Sequence, residues 1–349
     1  MEKKYNLCYD ILTILACLMV VFFHTNGIIY TYSDSLSWKI SVVERCVVYS
    51  AIPIFFMLTG AKLMDYRNRY STKEYVKKRL QRIGIPFLFW NLFYLIYQRV
   101  SSPEASFHSA KEFVSMLLNS EFQARYWFFF PLFAVYAAIP VISLVLQAKN
   151  HRKYLWYAVY VTFALLWVLN PLCALTGISY NSYLTMPISG GFMIYVLFGY
   201  LVSTEQWCRY KRVILYLSAM VSGIFAVGHI VSASAAAGTT ELYMASYHFF
   251  PAGLTGAAIF VFVKHIFDKP PIAEALNHRK KLMKLIRTVS GCCMGVWLTH
   301  SLAIIVAVKL LGVSDSDYVY RFALPPVIFA ACVFGVWIVR KIPVLKRIV

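Results

Sequence analysis

LCYDILTILACLMVVFFHTNGIIY, residues 7–30, decides the fold. A bilayer core is spanned by about 20 apolar residues in a helix, and this run exceeds that. Its only ionisable side chains with a bearing on chemistry are Asp10 and His24. The run follows Lys3 and Lys4 and has no small-residue cleavage site, so it reads as a retained helix rather than a removable leader. Further apolar runs follow at 42–64, 83–100, 126–147, 154–172, 187–203, 212–233, 244–266, 289–312 and 320–340. Those at 83–100 and 187–203 are short and call for tilt or local thinning of the bilayer.

Composition leads to the same class. Hydrophobic residues make up 60% of the 349 and charged residues 14%, against about 45–50% and about 25% in soluble domains. Mean hydropathy is +0.63. So few charges cannot cover so much apolar surface in water, and a disordered chain, a collagen-like fibre and a disulfide scaffold are excluded with the soluble fold. The expectation is an all-α polytopic membrane protein, a bundle of about ten transmembrane helices. Residues 1–349 read as a single membrane domain with no appended soluble domain and no clear repeat.

The net charge of +19 is a topology signal rather than a nucleic-acid one, because the cations alternate between loops. With the N-terminus inside, 27 of the 34 Lys and Arg residues fall on inner segments. The outer side holds Lys39, Arg45, Arg99, Lys111, Arg125, Lys309 and Arg321. That asymmetry places both termini in the cytoplasm. The eight cysteines fall mostly inside apolar runs, with no CxxC pair and no His at metal spacing. They read as small buried apolar residues, with neither a metal site nor a redox role expected.

Ionisable groups inside apolar spans are costly and mark function by default. Asp10 and His24 are 14 residues apart on one helix, which returns them to within about 40° of one face and separates them by about 21 Å along the axis. Both can face one bundle interior, with His24 in the outer third of the membrane. A lone histidine there is either a satisfied structural residue or a catalytic one. Glu44 and Arg45, at the outer mouth of the second span, form either an interfacial pair or, for Glu44, a carboxylate able to fix the tautomer of His24. His300 in WLTHSL and His248 are further candidates.

A second cluster is KEYVKKRLQRIGIP, residues 73–86. Arg79 and Arg82, three apart on a helix, share a face and offer paired guanidinium forks to a phosphate, while Lys78 and its neighbours read first as positive-inside anchors. Pro86 marks a first turn or a kink. The uncharged outer loop CALTGISYNSYLTM, 173–186, offers Tyr180, Asn181 and Tyr183 either as an interfacial aromatic belt or as a platform for sugar rings.

In this order the features resemble acyltransferase family 3, integral membrane acyl-CoA-dependent O-acyltransferases of envelope carbohydrates. The resemblance is carried by YDILTILACLMVVFFH at 9–24, PIFFMLTG at 53–60, RLQR at 79–82, PFLFWN at 86–91, YWFFFPLFAVYAAIP at 126–140, VWLTHSL at 296–302 and the basic close RKIPVLKRIV. It spans nearly the whole chain. One departure is Thr13, where many members carry Arg three residues after the first-helix Asp; this bears on any role for Asp10 that needs an Asp–Arg pair.

The resemblance implies ten helices and transfer of an acyl group, usually acetyl, from cytoplasmic acyl-CoA to a hydroxyl of an extracytoplasmic carbohydrate, an exopolysaccharide or a lipid-linked glycan. Acyl-CoA is then a co-substrate, with no permanently bound cofactor. The partners are the carbohydrate or glycolipid acceptor and the lipid bilayer, with no nucleic acid. The location is a bacterial cytoplasmic membrane. On this reading Arg79, Arg82 and Lys78 hold or attract the CoA phosphates, His24 is the general base and Glu44 its orienter. Asp10, Asn91, Tyr126, Trp127 and His300 line the pore or the acceptor site. The alternative from a different class is a proton-coupled transporter or flippase for a small solute or glycan precursor, with His24, Glu44 and His300 as a relay.

Overall fold

In hydrocarbon, backbone N–H and C=O groups find partners only within a helix or a closed barrel, and the apolar runs form helices. The computed structural model describes residues 6–101, 109–247 and 249–349; Lys3, Lys4 and His248 lie outside them. The protein is all-helical, 78% helix with no strand among the described residues.

Eight helical stretches are long and apolar enough to cross a membrane: Leu7–His24, Leu36–Asn68, Ala124–Gln147, His151–Thr176, Arg209–Ala237, Phe250–Phe267, Lys280–Leu311 and Val319–Val339. The other two expected spans are helical over Ile85–Ser101 and Met193–Thr204 but are shorter, at 17 and 12 residues. Large apolar side chains such as Leu217, Val221 and Ile224 on one helix and Val327 and Phe334 on another are exposed, as a lipid-facing surface requires.

The helices that matter for the site are, in chain order, α1 (Leu7–His24), α2 (Leu36–Val48), α3 (Ala51–Leu63), α4 (Thr72–Arg79), α5 (Ile85–Ser101), α6 (Ala110–Leu118), α7 (Phe129–Ile142), α8 (His151–Thr162), α9 (Asn170–Thr176), α10 (Met193–Thr204), α11 (Arg209–Ala237), α12 (Phe250–Phe267), α13 (Pro270–Asn277), α14 (Lys280–Leu311) and α15 (Leu324–Val339). α1 stops at His24 instead of running on to residue 30. The Thr25 hydroxyl there donates to the Val21 and Phe22 carbonyls, and the Asn26 side chain donates to Ser41 O at 2.9 Å. The second expected span starts earlier, at Leu36, where the Ser35 side chain accepts from Trp38 N. It breaks at Tyr49–Ser50, just where Pro53 cannot donate to the Tyr49 carbonyl.

Pro86 has a related effect. Its ring cannot sit over the carbonyl four residues back, and α4 joins α5 through a wide π turn, Leu80–Gly84, closed by Ile85 N–H to Leu80 O. At the centre of the bundle α3 crosses α10 closely. A Cβ added at Gly60 would overlap the Val196 carbonyl oxygen, and one at Gly199 would overlap that of Met57. Small residues let two backbones meet where burial from water supplies no driving force. α1 packs against α3 and α14, and α14 against α15.

Candidate functional site

Asp10 lies in the first turns of α1, and the basic stretch between α3 and α5 folds against the same end of the bundle. Together they enclose a cavity of about 440 Å³. Its polar lining includes Asp10, Thr13, Lys62, Arg69, Arg79, Arg82, Tyr136 and Ser290, and its apolar wall includes Phe128, Phe129 and Trp297. Arg79 and Arg82 thus share one cavity, as their spacing predicts, although the π turn rather than a regular helix sets their relation. Arg79 lies 5.8 Å from the Tyr136 ring centre, and its buried Nε has no hydrogen-bond partner among the described residues. Asp10 accepts from Ser290 Oγ at 2.7 Å. Lys62 Nζ donates to Thr13 Oγ1 at 3.3 Å, so a cation from α3 stands beside the residue where the resemblance leads one to expect Arg.

Lys78 does not line this cavity. Its ammonium pairs with Glu74 at 2.7 Å on the outer face of α4. Arg69 does line it and is held by Asp65 at 2.7 Å.

A second, much smaller chamber lies about 21 Å further along α1. It has about 20 Å³, room for one water or one hydroxyl. Its lining includes His24, Arg125, Trp127, Tyr247 and Trp297. His24, the last residue of α1, makes no hydrogen bond through its ring among the described residues. It stacks on His300, ring centroids 5.1 Å apart and planes inclined by 30°. His300 is fully buried, and its Nδ1 lies 2.7 Å from Trp297 O and 3.2 Å from Val296 O. Carbonyls only accept, so these partners assign the hydrogen to Nδ1 and leave Nε2 as an acceptor. That nitrogen is buried with no partner among the described residues. Trp127 stacks on Tyr247, which stacks on Tyr49 at 4.2 Å, giving the chamber an aromatic wall.

Trp297 belongs to both linings. Its indole packs against Phe128 and Phe129, with centroids 5.0 and 5.3 Å away, and forms the partition between a cation-lined cavity at one end of the bundle and an imidazole at the other.

Other expected residues fall elsewhere. Glu44 faces another partner: its carboxylate lies 3.5 Å from Arg321, both side chains are buried, and no hydrogen bond joins it to His24 among the described residues. The cause is Arg321, on the π turn before α15, which reaches α2 and also donates to Ser37 Oγ at 2.9 Å. Arg45 goes its own way, donating to Tyr30 Oη and Tyr49 Oη and lying 4.0 Å over Phe23. Tyr126 uses its hydroxyl on Leu298 O at 2.9 Å, and Asn91 its amide on Phe87 O at 2.8 Å; neither lines the cavity or the chamber. Tyr180 and Asn181 make bonds within their own loop, and Tyr183 is 90% exposed. Sequence reasoning missed Arg125 and Tyr247 as neighbours of His24. For Arg125 the signal was present, an outer-side cation directly before an apolar aromatic run.

No curated protein and no solved structure matches the chain. A family model described as an acyltransferase domain, that of acyltransferase family 3, matches residues 6–340. That is nearly the whole chain, and the chain belongs to this family. Family and apolar helices together fit a multi-pass membrane acyltransferase.

Proposed function

We propose that this member of acyltransferase family 3 is an O-acyltransferase of the bacterial cytoplasmic membrane. It takes an acyl group, acetyl by preference, from cytoplasmic acyl-CoA and gives it to a hydroxyl of an extracytoplasmic carbohydrate, as in O-acetylation of an envelope polysaccharide or lipid-linked glycan. The observation that carries this reading is the pairing of two sites on one axis. A cavity rich in guanidinium and ammonium groups and a separate imidazole chamber meet at a single side chain, Trp297. The charge asymmetry supports an orientation with the cationic end inside, the imidazole end outside and both termini cytoplasmic.

CoA suits that layout. Its diphosphate matches Arg79 and Arg82, which can grip phosphate oxygens with planar forks. Its thin pantetheine arm is apolar enough to pass between Phe128, Phe129 and Trp297 and to carry the thioester towards His24. The acceptor oxygen attacks the thioester carbonyl carbon while His24 takes its proton. The C–S bond then breaks, and the CoA sulfur leaves with that proton returned by His24. His300 stacks on His24 and holds it in place from α14. Arg125, lining the same chamber, supplies N–H groups for the oxyanion, a role Asn91 and Tyr126 cannot fill with their polar groups turned elsewhere.

Binding of acetyl-CoA to the purified protein tests the reading. Wild type binds, Arg82→Ala weakens binding about 10-fold or more for the loss of a charge-assisted contact, and His24→Ala leaves binding intact. Lys78→Ala, paired at the surface with Glu74, stays within about fivefold. A folded wild type that binds none of CoA, acetyl-CoA or succinyl-CoA defeats the proposal and favours transport.

A further inference from the structure

A cavity of about 330 Å³ lies between α3, α8, α10, α11 and α12 and shares no lining residue with the donor cavity or the imidazole chamber. On α8 and the π turn that continues it, Phe163–Leu169, the side chains of Trp156, Tyr160, Phe163 and Trp167 recur at intervals of four, three and four residues and share one face. Across from them α11 presents Lys211, Leu215 and Ser218 at intervals of four and three. Trp156 and Trp167 are 11 residues apart, about 16 Å along the axis. That is the depth of one leaflet in a hydrocarbon core about 30 Å thick. Tyr160 and Ile214 in the lining are exposed, so the cavity opens sideways towards lipid.

Next to it is a polar cleft of about 260 Å³, whose ionisable lining is Glu205, Arg212, Lys264, His265, Asp268 and Lys269. Two features join the spaces. One face of α12 runs through both, with Leu254 and Ala257 in the cavity and then Val261 and Lys264 in the cleft, at intervals of three, four and three. Trp207, in the turn between α10 and α11, lines both. Its ring packs against Trp156 and Phe198, centroids 6.1 and 5.8 Å away, and its buried indole N–H has no hydrogen-bond partner among the described residues. The cleft is braced by its own side chains. Trp156 Nε1 donates to Glu205 Oε1 at 3.0 Å, and Arg212 donates to the Trp207 carbonyl. Lys264 Nζ lies 2.8 Å from Asp268 and donates to Glu205 O at 3.4 Å. The charge pattern assigns this end of the bundle to the cytoplasm.

We propose that cavity and cleft together bind one phospholipid of the inner leaflet, of the zwitterionic class whose phosphodiester carries a primary ammonium. One acyl chain lies in the aromatic cavity, the phosphodiester faces Arg212 and Lys269, and the ammonium faces Glu205 and Asp268. Trp207 stands between them, at the level of the glycerol esters, where its N–H donates to an ester carbonyl. Lipid covers any bilayer-facing helix, but a recess one leaflet deep that ends in a cleft with charges of both signs is shaped for a whole molecule. Cations alone would suit an anionic headgroup. Here two carboxylates share the lining, and an anionic headgroup would meet them with nothing to offset the repulsion. An ammonium supplies that offset through charge-assisted hydrogen bonds. The cavity backs on Met57 of α3, whose carbonyl is the point of closest approach to Gly199 of α10. A chain seated there adds van der Waals contact to that crossing, where burial from water supplies none of the drive. The inference is independent of the donor and of the transfer chemistry.

The test adds phosphatidylethanolamine, phosphatidylglycerol or phosphatidylcholine with matched acyl chains to the full-length protein, delipidated in detergent, and reads native mass spectrometry and thermal unfolding. Wild type should bind one phosphatidylethanolamine, about 10-fold or more tighter than phosphatidylglycerol, and unfold at a higher temperature with it. Arg212→Gln/Lys269→Gln should weaken that binding about 10-fold or more. Ser218→Phe, which puts a ring into the cavity from a half-buried position, should weaken all three lipids alike and leave acetyl-CoA affinity at the wild-type level. Wild type that takes up the three lipids equally, or without a saturable single site, has only the lipid that coats any membrane protein, and the inference falls. It falls equally if phosphatidylglycerol binds more tightly than phosphatidylethanolamine, or if both variants bind lipid as wild type does. Should a variant fail to fold, the ranking of the three lipids on wild type decides.

Discussion

Substituting Arg321 tests whether Glu44 serves architecture or chemistry. The Arg321 side chain is completely buried and that of Glu44 is 8% exposed. Their charged groups approach to 3.5 Å, and Arg321 also reaches Ser37 Oγ and O on α2. Arg321→Ala leaves a carboxylate in an apolar interior with no cation facing it. Removing one partner of a buried pair costs about 3–5 kcal/mol, most of it the desolvation of the charge left behind. Glu44→Ala should cost about the same, because it strands the guanidinium instead. Replacing both by apolar residues, Glu44→Leu with Arg321→Met, removes the stranded charge and should recover most of the loss. Thermal unfolding of the detergent-purified variants, followed by size-exclusion chromatography, reads these differences directly. The reasoning fails if Glu44→Gln unfolds like wild type but turns over far more slowly, and if the double apolar variant is stable yet inactive. That pattern would mean Glu44 acts on His24 after all.

Two further outcomes follow from the same geometry. His24→Ala should lower acyl transfer by about 10²–10⁴-fold while unfolding and acetyl-CoA affinity stay near wild type, since general acid–base catalysis contributes about that much; a loss below tenfold would remove His24 from the chemistry. Gly199→Leu should prevent the close crossing of α3 and α10, because any Cβ there overlaps the Met57 carbonyl oxygen. Reduced yield of monodisperse protein should result, whereas Gly228→Leu on α11, where no atom lies near the added Cβ, serves as the tolerated control.

The membrane class, the shared cavity of Arg79 and Arg82 and the shared helix of Asp10 and His24 are all legible in the sequence, because each depends on periodicity within one segment. What escapes it depends on which helices are neighbours. Glu44 and His24 lie at a similar depth, and depth alone makes them a plausible pair; only the bundle order reveals that Arg321, far along the chain, meets Glu44 first. His300 stacks on His24 because α14 packs on α1, which no spacing announces. A partial signal for Arg321 did exist. It is one of the seven cations that the charge pattern assigns to the outer side, set against an apolar run, and such a residue must find an anion or a polar niche. The boundaries escaped for a different reason. Pro53 and Pro86 each lie inside an apolar run, where hydropathy registers no interruption but the missing N–H and the ring's clash divide one helix at Tyr49–Ser50 and widen another at Leu80–Gly84.

Thr13 shows how a departure at one position can leave the local electrostatics in place. The resemblance leads one to expect a cation there, three residues after Asp10. The chain instead has a hydroxyl that donates back to the Tyr9 carbonyl at 2.6 Å, as threonines in helices do. Its oxygen then accepts from Lys62 Nζ. Asp10, Thr13 and Lys62 all line the same cavity, and Lys62 extends from the last turn of α3, where a cation also complements the negative end of the helix. Lys62 of α3 therefore supplies positive charge at the corner of the cavity where Thr13 of α1 supplies none. An ammonium on a flexible stem is a point charge that lacks the fixed fork of a guanidinium. That cation can hold Asp10 in an electrostatic sense, while the planar forks of this cavity are those of Arg69, Arg79 and Arg82.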